Sequence, residues 1–211
     1  GAAIDGQDGW AAVMGGDDCA VDGSLIAGNG QAAVIKYTSN NSARAAHDLD
    51  TTGAAVSNAI TVSYDMGFNN AETMEQAWVG VLYGDSFYNG AEVGFRQNGD
   101  VMKLCYKTNG DWVYGAEITY DKFYHFVVDV DVPNMTYDVA VFDGATQLMD
   151  ASGIALTLDG EVAVKKVVLH SCSWYGSDGN AYFDNLTIVP EPATLTLLGL
   201  GSIGAMIRRK K

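Results

Sequence analysis

The chain has 211 residues, enough for one large domain with a sizeable core or for two small ones. Twelve lysines and arginines against 26 aspartates and glutamates leave a net charge of −14, which argues against a nucleic-acid partner. With 48% hydrophobic and 18% charged residues it is not disordered by composition, and three cysteines make no disulfide-dense scaffold and no zinc site.

In chain order, the first alternating run is Ala32–Tyr37, followed by Ile60–Met66. Asn70–Gln76 allows at most a short turn of helix, and Ala77–Tyr83 is again a strand. Glu92–Gln97 runs into Asn98-Gly99, and Asp100–Lys107 returns. Asn-Gly predicts a type I′ turn there, because both central residues need positive φ. Asn109-Gly110 reverses the chain once more before Asp111–Tyr114. In Phe123–Val132, the residues Phe126, Val128, Val130 and Val132 share one face, while Asp129 and Asp131 face water. Pro133-Asn134 supplies turn chemistry, and Met135–Asp143 repeats the pattern with Met135, Tyr137, Val139 and Val141. Val162–Ser171 and Ala181–Val189 complete about ten strands, with no convincing helical stripe between them.

Twenty-five glycines, three prolines and this pattern predict an all-β, antiparallel two-sheet jelly-roll sandwich over residues 1–189. A seven-stranded immunoglobulin-like sandwich is about half that size. Residues 1–189 hold 8 bases and 25 acids, whereas from Pro190 onward there are one acid, Glu191, and four bases, Arg208, Arg209, Lys210 and Lys211. An acidic body is thus followed by a basic-ended tail, residues 190–211. Pro190-Glu191-Pro192 ends any strand. Sixteen uncharged residues follow, Pro192–Ile207, short of the roughly 20 needed for a full crossing but too apolar for a solvated tail. We expect a short hydrophobic helix with its terminal bases on the cytoplasmic side and the body outside.

The chemistry-bearing residues are sparse. A glycosidase on a sandwich needs two carboxylates across a cleft. No E-x-D-x-x-E run is present, Glu72 and Glu75 lie near a turn, and Glu161 stands alone. His47, His125 and His170 are far apart in sequence, and no serine sits in a G-x-S-x-G elbow. The expectation is no enzyme. Asp5, Asp8, Asp17, Asp18, Asp178 and Asp184 are oxygen donors near turns or chain ends, and Asp8, Asp178 and Asp184 are the candidate calcium ligands, against the alternative of an ordinary acidic surface. Asp8 meets Asp184 if the first and last strands are neighbours. Trp112, Tyr114, Trp174 and Tyr175 flank turns, where a ring can stack on a sugar or cap the core; Trp10 and Trp78 read as buried. Cys105 alternates with Lys103 and Lys107, which places its thiol in water, and Cys19 and Cys172 could bridge if close in space.

Two resemblances add to this reading. Asp5-Gly6-Gln7-Asp8-Gly9-Trp10, the pairing of Tyr124–Val130 with Tyr137–Gly144, and the closing Ala181-Tyr182-Phe183-Asp184-Asn185-Leu186 resemble laminin-G-like, concanavalin A-like domains of bacterial surface proteins. That resemblance implies carbohydrate binding and, in some members, a structural calcium. The tail, with Val189-Pro190-Glu191-Pro192, the Leu- and Gly-rich stretch and the basic terminus, resembles a PEP-CTERM sorting signal. That implies processing by an exosortase, transient anchoring in the inner membrane, and a destination at the cell surface or in the extracellular matrix. Pro190, Glu191, Pro192, Arg208 and Arg209 are then a processing signal. Gly199–Gly204 fits G-x-G-x-x-G, but the chain ends too soon for a dinucleotide site. Gly1-Ala2-Ala3 reads as the start of a mature or trimmed chain.

The expected function is non-catalytic binding of extracellular polysaccharide. Self-association into a surface layer or fibre is the alternative, and a glycan hydrolase or lyase the third.

Overall fold

The structure is a computed structural model that describes residues 2–3, 10–14, 19–22, 32–37, 42–49, 59–69, 76–83, 90–156, 164–172 and 179–190. These form fifteen strands: β1 (Ala2–Ala3), β2 (Trp10–Met14), β3 (Cys19–Asp22), β4 (Ala32–Tyr37), β5 (Ser42–Asp48), β6 (Ala59–Asn69), β7 (Gln76–Tyr83), β8 (Gly90–Asn98), β9 (Val101–Thr108), β10 (Asp111–Glu117), β11 (Lys122–Asp131), β12 (Thr136–Asp143), β13 (Thr146–Ala155), β14 (Val164–Cys172) and β15 (Gly179–Pro190). Asn70–Glu75, the proposed helical tail and most of the opening segment lie outside the described residues.

Every strand pairing is antiparallel, and the strands build two sheets. The eight-stranded sheet has the order β1-β3-β4-β15-β6-β11-β12-β13, and the seven-stranded sheet β10-β9-β8-β7-β14-β5-β2. The all-β sandwich expected from the alternation is therefore present. β15 lies between β4 and β6, so the first and last strands are not the neighbours that the pairing of Asp8 with Asp184 supposed, and Asp8 itself lies outside the described residues.

One face of each sheet supplies the core. Ile60, Val62, Tyr64 and Met66 of β6 meet Val93 and Phe95 of β8 and Val167 and Leu169 of β14 in one buried cluster. Tyr64 stacks on Phe126 at 4.8 Å between ring centroids, and Phe95 meets Phe126 edge-on at 5.5 Å. Two tyrosine hydroxyls tie the sheets together. Tyr64 donates to the Val93 carbonyl at 3.0 Å, and Tyr137 donates to the Lys107 carbonyl. Each satisfies a group that burial would otherwise leave costly.

The turns refine the expected hairpins. Asn98 pairs with Val101, so the β8–β9 loop is Gly99-Asp100, and only Gly99 has positive φ, at 66°. That is the pattern of a type II′ turn rather than the predicted type I′ at Asn98-Gly99. The type I′ pattern occurs one hairpin later, where Asn109 and Gly110 have φ of 49° and 89°. Met135 belongs to the loop between β11 and β12 rather than to the strand. Its φ is 57° and its side chain is 41% exposed, so it does not share the Tyr137 face.

Candidate functional site

Residues that alternate with the core on the seven-stranded sheet form its outer face, and the register sets them in rows. In one row Trp112 of β10 lies opposite Lys107 of β9, the Lys107 ammonium meets Glu92 of β8, and Glu92 lies opposite Gly80 of β7. In the next, Tyr114 lies opposite Cys105, Cys105 opposite Gly94, Gly94 opposite Trp78, Trp78 opposite His170, and His170 opposite Arg44 of β5. A third row brings Gln76, Arg96 and Lys103 together. Glycines stand at positions 80 and 94 of these rows, and Gly94 lies close against the backbone of β7. A Cβ on Gly94 would lie 2.2 Å from the Ala77 carbonyl oxygen and 2.6 Å from the Trp78 Cα.

Trp78 packs with Ala46 and Val168 in a second buried cluster against which Trp112 rests. The Trp112 ring has the Arg96 guanidinium 5.2 Å and the Lys107 ammonium 5.8 Å from its centroid. Tyr114 is 37% exposed beside them. Trp112 is thus half-buried against a small outer cluster while still reaching the surface.

This face also holds Arg44, Glu92 and His170, all buried. Lys107 Nζ donates to Glu92 Oε1 at 2.6 Å. Burial pushes the Glu92 carboxyl up to about 7, against the opposing pull of Lys107 and then of Arg44 and Arg96. His170 stacks obliquely on Trp78 at 4.3 Å, and neither ring nitrogen has a hydrogen-bond partner. Burial, then the Arg44 charge, hold it well below the usual histidine range and so neutral. Alternation alone reads these polar positions as a wet face; the central strands' near-continuous apolar runs were the available sign that both faces are covered.

Cys105 lies on the same face as Lys103 and Lys107, as its spacing implied, but it is buried rather than in water. It faces Gly94 and Tyr114 in register, and burial pushes its thiol well up. Cys172 is a free, buried thiol, so the considered bridge to Cys19 is not formed.

The outer face of the eight-stranded sheet is different in kind. His125, exposed as expected, contacts Asp65 through Nδ1 at 2.7 Å, and Asn185 Nδ2 donates to the other Asp65 oxygen at 2.6 Å. Asp184 lies opposite Asp65, and its Oδ1 accepts the Asn185 amide at 2.7 Å where β15 bulges. A cavity of about 240 Å³ is lined by Asp129, Asp131 and Asp138 among others. These carboxylates accept from Thr61, from Asn134 and from the Gly153 amide, respectively. Among the described residues no three metal-ligating side chains come together. Asp8, Asp178, Trp174, Tyr175, Glu191, Pro192, Arg208 and Arg209 lie outside the described residues, and Pro190 is the last residue of β15.

The chain carries a PEP-CTERM protein-sorting motif over residues 189–210, which implies export, exosortase processing and C-terminal sorting to the cell surface. No curated protein matches the chain at a significant level. Among solved structures, the catalytic domain of a glycoside hydrolase family 131 protein from Coprinopsis cinerea is similar with TM-score 0.60 and 12% identity, over 87% of this chain and 84% of that one. Alginate lyase Aly36B is similar with TM-score 0.57 and 13% identity, over 84% and 85% of the two chains. The carbohydrate-binding module CBM66 from Bacillus subtilis is similar with TM-score 0.51 and 15% identity, over 85% and 94%. A sialidase also matches, with TM-score 0.59 and 11% identity over 87% of this chain, but the chain spans only 17% of its length. At such identities the likeness is one of fold. The fold is a two-sheet sandwich similar to concanavalin A-like domains, and it is shared by hydrolases, lyases and binding modules.

Proposed function

We propose that this surface-sorted protein binds extracellular polysaccharide without cleaving it, through the outer face of the seven-stranded sheet. The observation that carries the reading is the grouping of Trp112 and Tyr114 with Arg96 and Lys107 on one sheet face. Aromatic rings supply apolar area for the C–H face of a sugar, and guanidinium and ammonium groups donate to its oxygens. Glu92 is the one buried carboxylate among the described residues, and it is bound to Lys107. Among the described residues no second carboxylate is buried beside it, whereas hydrolysis depends on a pair across a cleft. Calcium enters this reading only as a structural ion. Of its three candidate ligands Asp184 alone is described, and one of its oxygens already accepts the Asn185 amide.

The test is titration of the full chain with a panel of soluble polysaccharides, in calcium and in chelator, with product analysis. We expect saturable binding, weakened about tenfold in Tyr114→Ala, and no shortening of the polymer. Binding lost in chelator adds the calcium site. New chain ends would overturn the non-catalytic reading in favour of a hydrolase or lyase. No binding together with concentration-dependent assembly would move the assignment to a self-assembling surface subunit, with edge strands such as β10 and β13 as its contacts.

A further inference from the structure

The body has few cations, and they are unevenly placed. Of its eight lysines and arginines, six lie on strands of the seven-stranded sheet: Arg44, Arg96, Lys103, Lys107, Lys165 and Lys166. All but Lys165 take outer-face positions, against three acids there, Asp48, Glu92 and Glu117. The opposite outer face carries Asp65, Asp129, Asp131, Asp138, Asp150 and Asp184. Of the two cations on strands of that sheet, Lys122 is bound to Asp143 and Lys36 lies on β4. Among the described residues the two outer faces therefore differ in charge, with Arg96, Lys103 and Lys107 close to Trp112 and Tyr114.

Within the positive side one pairing stands against the folding energetics. Arg96 and Lys103 are direct cross-strand partners, and like charges placed opposite one another weaken a sheet. Arg96 donates to Gln76 Oε1 at 2.8 Å, a neutral partner, and Lys103 makes no ion pair among the described residues. Glu117 lies opposite Lys103 on β10, exposed, at a register shift. Both cations are half-buried, and Arg96 already reaches towards the Trp112 ring. Two adjacent cations without carboxylate partners present donors spaced for an external anionic group.

We infer that the polysaccharide recognised by this face is acidic, its carboxylate or sulfate groups lying on the Arg96–Lys103 pair while a sugar ring packs beside Tyr114 and Trp112. This inference rests on the proposed binding function and names its ligand class. The acidic face of the eight-stranded sheet would repel the same polymer, which fixes the face that is used.

The experiment measures binding of the full chain to polygalacturonate, dextran sulfate and neutral dextran, at low salt and at about 0.3 M salt, where charge contacts are screened. The variants are Arg96→Gln/Lys103→Gln and, because the tail is also basic, Arg208→Gln/Arg209→Gln. We expect at least one acidic polymer to bind about tenfold more tightly than dextran. That preference should vanish in high salt and in the strand variant, and persist in the tail variant. The two acidic polymers separate carboxylate from sulfate recognition. Equal binding of dextran, or an unchanged preference in Arg96→Gln/Lys103→Gln, would overturn the inference while leaving polysaccharide binding intact. Absence of binding to these polymers and to every member of the wider panel would instead remove the parent reading.

Discussion

Replacing Lys107 by methionine keeps the apolar stem and removes the charge that faces Glu92. The pair is 2.6 Å apart, with the lysine side chain 12% exposed and the carboxylate 1%. Deleting one partner of a buried pair costs about 3–5 kcal/mol when the other stays charged. Glu92 has an escape, because burial already raises its carboxyl from 4.5 to about 7 and loss of Lys107 raises it further. A raised carboxyl binds its proton more tightly in the folded state. Its contribution to stability is therefore complete below about 4.5 and is lost as pH climbs through about 7. A shift of that size corresponds to about 3 kcal/mol. Lys107→Met should then be destabilised by about 3–5 kcal/mol at pH 8. At pH 5, where Glu92 is protonated and only a hydrogen bond is missing, the loss should be about 1 kcal/mol. Urea unfolding of wild type and variant at the two pH values measures the difference. Adding Glu92→Gln to Lys107→Met should recover most of the loss at pH 8. Equal losses at both pH values, or no recovery in the double variant, would refute the description of Glu92 as a buried, proton-seeking carboxyl.

Other outcomes follow from single positions. Gly94→Ala pushes a methyl into the backbone of β7, with the Ala77 carbonyl oxygen 2.2 Å away, and should cost about 1–3 kcal/mol by thermal unfolding. Gly99→Ala should cost about 1 kcal/mol, while Asn98→Ala should be close to neutral; the reverse order would restore the turn to Asn98-Gly99. Tyr64→Phe removes the buried donor to the Val93 carbonyl and should cost about 1 kcal/mol in urea unfolding. Cys105 should stay unmodified by iodoacetamide in the native protein and react once unfolded, as read by peptide mapping; labelling of the native thiol would contradict its burial.

Alternation was clearest in the strands with one wet face, although β7, β8 and β14, buried on both faces, were also legible. β11 and β12 alternate Phe126, Val128 and Val130 with His125, Asp129 and Asp131, and their burial follows that pattern. β5 escaped notice because Ser42-Ala43-Arg44-Ala45-Ala46-His47-Asp48 has alanine, a poor strand former, as its only apolar residue type, although Ala43–Ala46 are buried on both faces. β13 escaped because Gly153, at φ 64°, and two register shifts interrupt its alternation. The site was less visible than the strands. Arg44, Trp78, Glu92 and His170 come from four strands, and only the lateral order β8-β7-β14-β5 makes them neighbours. Trp112 and Tyr114 were legible as turn-flanking aromatics, but nothing local told that Arg96 and Lys107 would share their face.

The two outer faces differ in how their polar groups are partnered, and that difference supports the proposed binding face. On the eight-stranded sheet Asp65, Asp129, Asp131, Asp138 and Asp184 each accept from a neighbouring donor, although Asp129 faces Asp138 and Asp65 faces Asp184 across the strands. On the seven-stranded sheet a carboxyl is buried, a histidine ring has no hydrogen-bond partner and two cations stand side by side. Each of these works against folding. Local choices that conflict with stability mark functional sites when they cluster, because a ligand that supplies the missing partner recovers the cost on binding. The conflicts on the seven-stranded sheet include adjacent positive charges, in a chain whose net charge is −14. A face so built gains most from a ligand bearing both negative groups and apolar ring faces, which is the chemistry of an acidic polysaccharide.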